Sequence, residues 1–314
     1  MSGAKANRRD LIMSVGIGGA AALLASGVSH AEATVQCNFD VDPLGVVPLP
    51  PELSAPPRVA QLDGFGLWYW DTGGSGPAVV LMHPSTGSGQ IWGYQQAEFA
   101  AAGYRVIGYS RRGYIGSSAI DPARPGTSAD DLRQLLDHLN IQRAHLLGTA
   151  AGGFTAASFA LMWPDRVLSV ILACTLLSGV DPSVLALMPS VREPWWNDLP
   201  HEFRELSPSY RAVNKEGEAL WKALYAQSRG GHQTANQPAG EPATVAAISR
   251  FKMPSLFISG DADLITPPPV ARLFANAVER SELIVFPECG HSAYWERPAL
   301  FNAAVLSFLR RTSA

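Results

Sequence analysis

The stretch from Ala144 to Gly153 decides the fold and reads Ala-His-Leu-Leu-Gly-Thr-Ala-Ala-Gly-Gly. Its first four residues favour a buried strand, and the alanine-rich residues after Gly153 favour a helix. Between the two, the residues around Ala150 are small enough for a strand to turn sharply into a helix. By itself such a turn also suits a plain tight turn or a phosphate-binding loop.

Outward from this turn, apolar strand-like runs alternate with helical patterns. Such alternation predicts an α/β fold with a mostly parallel, doubly wound sheet and helices on both faces. Before it, an Asp63-Gly64 turn between two short apolar runs predicts an antiparallel hairpin. The helix over residues 128–139 is expected to begin with Ser128 as its N-cap. The predicted strands are residues 59–62, 67–70, 78–82, 105–109, 144–147, 168–176, 255–259 and 283–286, and further helices cover residues 269–278 and 298–310.

The alternation breaks between residues 181 and 249, where the chain is rich in aromatic residues and contains a Gly/Gln/Asn-rich loop. We interpret this segment as a helical cap inserted into the core, which then comprises residues 58–180 and 250–314. Residues 34–57 are rich in proline and predict an extended N-terminal arm.

The first residues predict an export signal. Arg8 and Arg9 precede a Gly- and Ala-rich apolar stretch, and Ala31-Glu32-Ala33 offers small residues for cleavage. The pattern resembles a twin-arginine signal, so residues 1–33 are expected to be removed and the mature protein to be periplasmic or secreted. The alternative is a retained membrane anchor, although the stretch is barely long enough to span about 30 Å of hydrocarbon.

Composition argues against nucleic acid as a partner and against a metal site. Apolar residues make up 47% of the chain and charged residues 16%, which is typical of a globular protein. A net charge of −3 without a basic cluster argues against nucleic acid. Cys37, Cys174 and Cys289 lack the spacing of metal ligands, so no metal or other cofactor is expected. A Cys37–Cys289 disulfide and the oligomeric state stay open.

Two motifs each follow a late strand. They complete a pattern with the sharp strand-to-helix turn around Ala150, which we call the elbow. Asp263 lies in Gly-Asp-Ala-Asp-Leu-Ile-Thr-Pro, and His291 lies in Glu-Cys-Gly-His-Ser. The order elbow, acid, histidine resembles the α/β-hydrolase family over residues 58–310. The resemblance implies a nucleophile at position 150, a general base and acid at His291, and Asp263 as the carboxylate that orients it. Asp261 is the second candidate for that carboxylate.

The same resemblance implies an oxyanion hole built from two backbone N–H groups. One would come from Ala151 and the other from the loop after the third strand. Pro84 has no N–H, so Ser85 is the donor predicted there. His83 is interpreted as a structural loop residue. For the substrate we expect a small apolar or aromatic ester or lactone. The residues expected to bind it are aromatic, namely Trp92, Trp195, Trp196, Trp221 and Tyr294. Packing within the core of the cap is an equally good explanation for each of these aromatic residues.

Ala150 stands where the nucleophile belongs, and its side chain cannot attack a carbonyl. Either an inactivating substitution replaced a serine, or a natural relative lost the chemistry. The otherwise complete elbow favours a single change from serine in an ester or lactone hydrolase, so the chain as written is expected to be inactive. Two further hypotheses are a catalytically silent ligand-binding protein and a His291–Asp263 pair that acts alone as a base on a carbon acid.

Overall fold

The computed structural model describes residue 42 and residues 44–178, 181–233 and 235–313. Within them, eight strands form one sheet in the order β1-β2-β4-β3-β5-β6-β7-β8. The strands are β1 (Pro57–Gln61), β2 (Gly66–Asp71), β3 (Ala78–Met82), β4 (Arg105–Tyr109), β5 (Ala144–Thr149), β6 (Val167–Ala173), β7 (Ser255–Gly260) and β8 (Ser281–Phe286).

The sheet is antiparallel in the pairings of its first two strands and parallel across the other strands. Strands β1 and β2 pair as the predicted hairpin, and β2 pairs antiparallel with β4. From β4 through β3 to β8 every pairing is parallel. The carboxyl ends of β3 to β8 therefore lie at one edge of the sheet, which is where α/β proteins place their sites.

Helices connect these strands and cover both faces of the sheet. Successive residues of a strand point to opposite faces, so Val79 and Val80 enter two different hydrophobic clusters, as do Leu147 and Leu146. Burial on both faces explains why these strands are continuously apolar. The helices of the core are α1 (Gly93–Ala101), α2 (Ser128–His138), α3 (Ala151–Met162), α9 (Pro268–Ala277), α10 (Ala293–Glu296) and α11 (Pro298–Thr312).

Between β6 and β7 the chain forms short helices, which are the inserted helical segment of the predicted fold class. Tyr210 and Trp221 of this segment pack into the same hydrophobic cluster as Tyr294 and Trp295 of the core. The segment contains α4 (Pro182–Leu187), α5 (His201–Glu205), α6 (Pro208–Val213), α7 (Lys215–Gln227) and α8 (Val245–Ile248), with 3-10 turns at Met188–Ser190 and Pro194–Asp198.

The structure corrects two local predictions. Thr127, and not Ser128, is the N-cap of α2, because its side chain accepts a hydrogen bond from the amide of Asp130. The hydroxyl of Ser128 instead contacts that of Thr155 in α3, at 2.7 Å. Strand β6 ends at Ala173 and not at residue 176, because Cys174 adopts a φ of 47° that an extended strand cannot hold.

The predicted export signal and Cys37 lie outside the described residues. Cys174 and Cys289 are buried free thiols. None of the helices among the described residues is long and apolar enough to cross a membrane.

Candidate active site

The turn between β5 and α3 has the geometry of a nucleophile elbow. Ala150 lies at its apex with φ 48° and ψ −118°, a backbone conformation that residues with a Cβ rarely adopt. Such strain costs about 1–3 kcal/mol and persists only where the surroundings enforce it. The elbow therefore keeps its strained shape although the side chain at its apex is only a methyl group.

Two glycines explain how the turn can be so tight. A Cβ on Gly148 in β5 would lie 2.5 Å from the carbonyl oxygen of Gly152 in the first turn of α3. A Cβ on Gly152 would lie 2.0 Å from the carbonyl oxygen of Met82 at the end of β3. Both contacts are shorter than a real Cβ tolerates, so only glycine lets α3 start against the end of β3.

Asp263 and His291 form a buried pair at the same edge of the sheet. Oδ2 of Asp263 lies 2.8 Å from Nδ1 of His291. Oδ1 of Asp263 accepts the amide N–H groups of Ile265 and Thr266, at 2.7 and 2.8 Å. These bonds fix the carboxylate, which in turn fixes Nδ1 as the protonated ring nitrogen and leaves Nε2 as the atom able to accept a proton.

The surroundings raise the pKa of His291 above its ordinary value. Burial alone would lower this pKa, because it disfavours the charged ring. The charge and hydrogen bond of Asp263 outweigh burial, and the charges of Glu205 and Glu296 add to the increase. His291 becomes an imidazolium when it accepts a proton as a general base. Its surroundings therefore favour this protonated form.

The second candidate acid, Asp261, takes a different position. It is exposed, and its Oδ1 accepts the amide N–H of Cys289 at 3.3 Å, which ties the loop after β7 to the loop after β8. Its contact is with a backbone amide and not with the ring of His291. Of the two carboxylates, the structure brings Asp263 to the histidine.

Sheet geometry brings Ala150 to the edge that holds this pair. The amide of Ala150 donates to Ala173 at the end of β6, and the amide of Cys174 donates to Ile258 in β7, at 3.0 and 2.8 Å. The elbow, the acid loop and the histidine loop therefore follow β5, β7 and β8 at neighbouring carboxyl ends. Nε2 of His291 makes no hydrogen bond within the described part of the chain.

The loop after β3 carries Ser85, the second residue predicted to donate to an oxyanion. Ser85 is exposed, and its carbonyl oxygen accepts the hydroxyl of Tyr114 at 3.3 Å. Among the described residues, the amide N–H groups of Ser85 and Ala151 donate to no acceptor. Both N–H groups are therefore available to an acceptor that the described residues do not supply.

His83 holds this loop in place, as predicted from its position. Its ring is fully buried, with Nδ1 2.7 Å from the carbonyl oxygen of Pro84. Nε2 accepts the amide N–H of Arg111 at 3.0 Å, so Nδ1 carries the proton. Burial, followed by the charge of Arg111, lowers the pKa of His83 well below its ordinary value. A neutral ring with both nitrogens occupied is a structural element.

The aromatic residues predicted to bind substrate are placed differently from one another. Trp92, Trp221 and Tyr294 are almost fully buried in one hydrophobic cluster, and the rings of Trp92 and Tyr294 lie 5.1 Å apart. Trp195 is exposed by 61% on the inserted segment, whereas its neighbour Trp196 is buried. Core packing therefore accounts for three of the five without a ligand.

Glu205 is a residue of the site that the sequence did not indicate. It is buried at the end of α5, and its Oε2 accepts the hydroxyls of Thr86 and Ser292, at 2.9 and 3.4 Å. Its carbonyl oxygen accepts the amides of His291 and Ser292, at 2.8 and 3.1 Å. One residue of the inserted segment thus joins the loop after β3 to the histidine loop.

Glu296 is a second buried carboxyl group beside the histidine. Its Oε2 accepts the amide of Ser207 at 2.8 Å, and its Oε1 accepts that of Gly290 at 3.1 Å. Burial raises the pKa of Glu296 to about 7, although these hydrogen bonds oppose the shift. The available sequence signal was an acid directly after the apolar residues Ala293-Tyr294-Trp295.

No group of three His, Cys, Asp or Glu residues within the described ranges could hold a metal ion. A family model described as alpha/beta hydrolase matches residues 79–304, which is more than half of the chain. The chain belongs to the alpha/beta hydrolase family.

Among known proteins, this alpha/beta hydrolase is similar to a 2-hydroxy-6-oxononadienedioate/2-hydroxy-6-oxononatrienedioate hydrolase of Burkholderia vietnamiensis. The two are 32% identical over 263 residues, which is 77% of this chain and 90% of the relative. It is also similar to the solved structure of an enol-lactonase from Burkholderia xenovorans, with 24% identity and a TM-score of 0.67 over 81% of this chain and all of that one. A further structure, Est816, described as an N-acyl homoserine lactone degrading enzyme, has 26% identity and a TM-score of 0.65 over 80% and 100% of the two chains.

Proposed function

We propose that this chain is built to hydrolyse a carboxylic ester or lactone by serine-type chemistry, with Ala150 at the position of the nucleophile. The observation that carries the proposal is the buried Asp263–His291 pair, joined at 2.8 Å, at the edge where the strained elbow also lies. Neither feature alone specifies a hydrolase. Together with two free N–H groups they correspond to the turn that carries a nucleophile, the base with its acid, and the oxyanion donors of a hydrolase site.

With serine at position 150, we propose the following reaction. Nε2 of His291 takes the proton of the serine hydroxyl while its oxygen attacks the carbonyl carbon of the substrate. The amides of Ser85 and Ala151 hold the negative oxygen that forms, and Asp263 stabilises the imidazolium. His291 then protonates the leaving alcohol, which leaves an acyl-enzyme. Water activated by the same histidine releases the acid.

Ala150 itself supplies no atom for this attack. We propose that it replaces a serine, because its φ of 48° preserves a strained turn that an alanine does not need. The alternative is a natural homologue that binds a ligand in the same cleft without cleaving it. The methyl group at the apex is the observation that favours this second candidate.

For the substrate we propose an ester or lactone with an apolar or aromatic part. Exposed apolar side chains of the inserted segment and of the acid loop support this, namely Leu185, Trp195, Phe203 and Leu264. The names of similar proteins suggest two further kinds of compound to test, lactones and 2-hydroxy-6-oxo dienoates.

For location we propose export to the periplasm or the medium. The support lies in the sequence alone, in Arg8-Arg9 and in Ala31-Glu32-Ala33.

The deciding experiment compares the chain as it stands with Ala150→Ser on p-nitrophenyl esters, lactones and a 2-hydroxy-6-oxo dienoate. Loss of the nucleophile in such sites costs about 10⁶-fold in turnover, so the serine variant should gain activity of that order and be blocked by a fluorophosphonate. Ala150→Gly is the matched control, which keeps the turn but adds no nucleophile and should stay inactive. A folded serine variant that cleaves none of these compounds would favour the ligand-binding protein.

A further inference from the structure

Two arginines of the inserted segment converge on one aromatic ring. The guanidinium carbon of Arg192 lies 4.5 Å from the centre of the Trp196 ring, and that of Arg204 lies 5.8 Å from it. Arg204 also lies against His201, with Nη2 3.1 Å from each ring nitrogen. Two permanent positive charges are therefore held close together around a buried tryptophan.

Neither guanidinium forms an ion pair within the described residues. The partly buried Arg105 and the buried Arg112 behave differently, because each binds a carboxylate, Asp71 and Asp131 respectively. Among the residues that the structure describes, Arg192 donates only to the carbonyl oxygen of Leu264, at 2.9 Å. Nε of Arg204 is buried and has no hydrogen-bond partner in the described part of the chain.

Two buried carboxylates of the neighbouring loop and helix, Asp263 and Glu205, have other partners. Asp263 is held by His291 and two backbone amides. Oε2 of Glu205 is held by Thr86 and Ser292, and its Oε1 lies 3.8 Å from Nδ1 of His201. Burial is the main cause that lowers the pKa of Arg192. The charge of Asp263 acts in the opposite direction, and the charge of Arg204 adds to the lowering. Within the described residues no carboxylate forms an ion pair with either guanidinium, and Asp263 acts on Arg192 only through its charge at a longer distance.

Their position relates them to the candidate active site. Arg192 is bonded to Leu264, the residue after Asp263, and Arg204 directly precedes Glu205, whose carbonyl oxygen binds the amide of His291. Each arginine is therefore attached to one of the two loops that carry the acid and the histidine. A group bound between the arginines would lie at the boundary of the inserted segment and these loops.

We propose that Arg192 and Arg204 bind a carboxylate group of the substrate, so that the preferred ester or lactone carries a free carboxylate away from the bond that is cleaved. Guanidinium groups pair with carboxylates through two parallel N–H···O bonds, and an aromatic ring beneath keeps their planes in place. This inference rests on the proposed hydrolase function and adds the charge of its substrate.

The first test uses two esters in the Ala150→Ser background, mono-p-nitrophenyl glutarate with a free carboxylate and p-nitrophenyl pentanoate without one. We expect kcat/KM to favour the charged ester. Arg192→Gln and Arg204→Gln should each lower the charged-to-neutral ratio of kcat/KM by about 10- to 100-fold, since a charge-assisted hydrogen bond is lost. Arg311→Gln is the matched control, because Arg311 pairs with Glu282 at the start of β8, the opposite edge of the sheet.

The second test does not depend on catalysis. Glutarate is titrated calorimetrically into the chain as it stands, and into folded Arg192→Gln and Arg204→Gln variants checked by circular dichroism. Binding that weakens about 10-fold or more in both variants supports the carboxylate site even if the serine variant is inactive. An unchanged ester ratio, or glutarate binding that survives both substitutions, would overturn it. Equal binding of inorganic phosphate would replace a carboxylate site with a general anion site.

Discussion

The amide N–H of His291 donates to the carbonyl oxygen of Glu205, at 2.8 Å. The first residue belongs to the loop after β8, and the second ends a short helix of the inserted segment. The same Glu205 binds Thr86 of the loop after β3 through its side chain. The inserted segment is therefore part of the candidate site, because its residue Glu205 is hydrogen-bonded to the backbone of His291.

A change at the acid should separate Asp263 from Asp261. In the Ala150→Ser background, Asp263→Asn is expected to lower turnover by about 10⁴-fold, the cost of this change in a serine protease triad, because an amide stabilises the wrong tautomer of the histidine. Asp261→Asn is the matched control and should cost about 1 kcal/mol in unfolding free energy through its bond to the amide of Cys289. Steady-state kinetics and urea unfolding measure the two effects. Loss of activity in Asp261→Asn alone would reverse the assignment.

Removal of the Glu205 charge should shift the pH profile of the serine variant. Glu205 contributes to the raised pKa of His291, and only the neutral ring can act as a base. Glu205→Gln therefore lowers the pKa of His291, and the acid limb of kcat/KM against pH moves to lower pH. Glu202→Gln, on the same helix but paired with Lys222, is the control and should leave the limb in place. An equal shift in both variants would contradict a local effect of Glu205.

Stability should depend on pH through Glu296. Its pKa is raised from an ordinary 4.5 to about 7, so the folded protein holds this proton more tightly than the unfolded chain. The stabilisation is fully present below about pH 4.5 and is lost as the pH rises through about 7, a decline of about 3 kcal/mol. Glu296→Gln should flatten this part of the curve, as measured by denaturant unfolding at pH 4.5, 6 and 8. A parallel curve for the variant would show that Glu296 does not cause the decline.

Export should leave a defined N-terminus. Expression with a functional twin-arginine pathway is expected to give mature protein cut after Ala33, because small residues at Ala31 and Ala33 suit signal cleavage. Intact-mass spectrometry of the periplasmic fraction measures it. Arg8→Lys with Arg9→Lys is the control that should retain the precursor. Uncut protein in the membrane fraction would point to an anchor instead.

The sequence by itself determined the fold class and the order of the site motifs, since both depend on local signals. Alternating apolar runs specify strands and helices, and the small residues around Ala150 specify a tight turn. The loops that carry Asp263 and His291 could be recognised because each directly follows an apolar strand. The predicted N-cap of α2 was wrong by one residue, because Thr127 and Ser128 are both suitable cap residues. The backbone conformation decides between them, and Thr127 is the extended residue before the helix.

Only the tertiary structure decided which side chains surround these motifs. Glu205 lies 86 positions before His291 in the chain, and no local pattern indicates that the two residues meet. The convergence of Arg192 and Arg204 on Trp196 depends in the same way on how short helices of the inserted segment pack. Burial likewise separated Trp92 and Tyr294 from the exposed Trp195. The physical reason is that periodicity and turn chemistry act between near neighbours, whereas burial and charge pairing depend on segments that come together only when the chain folds.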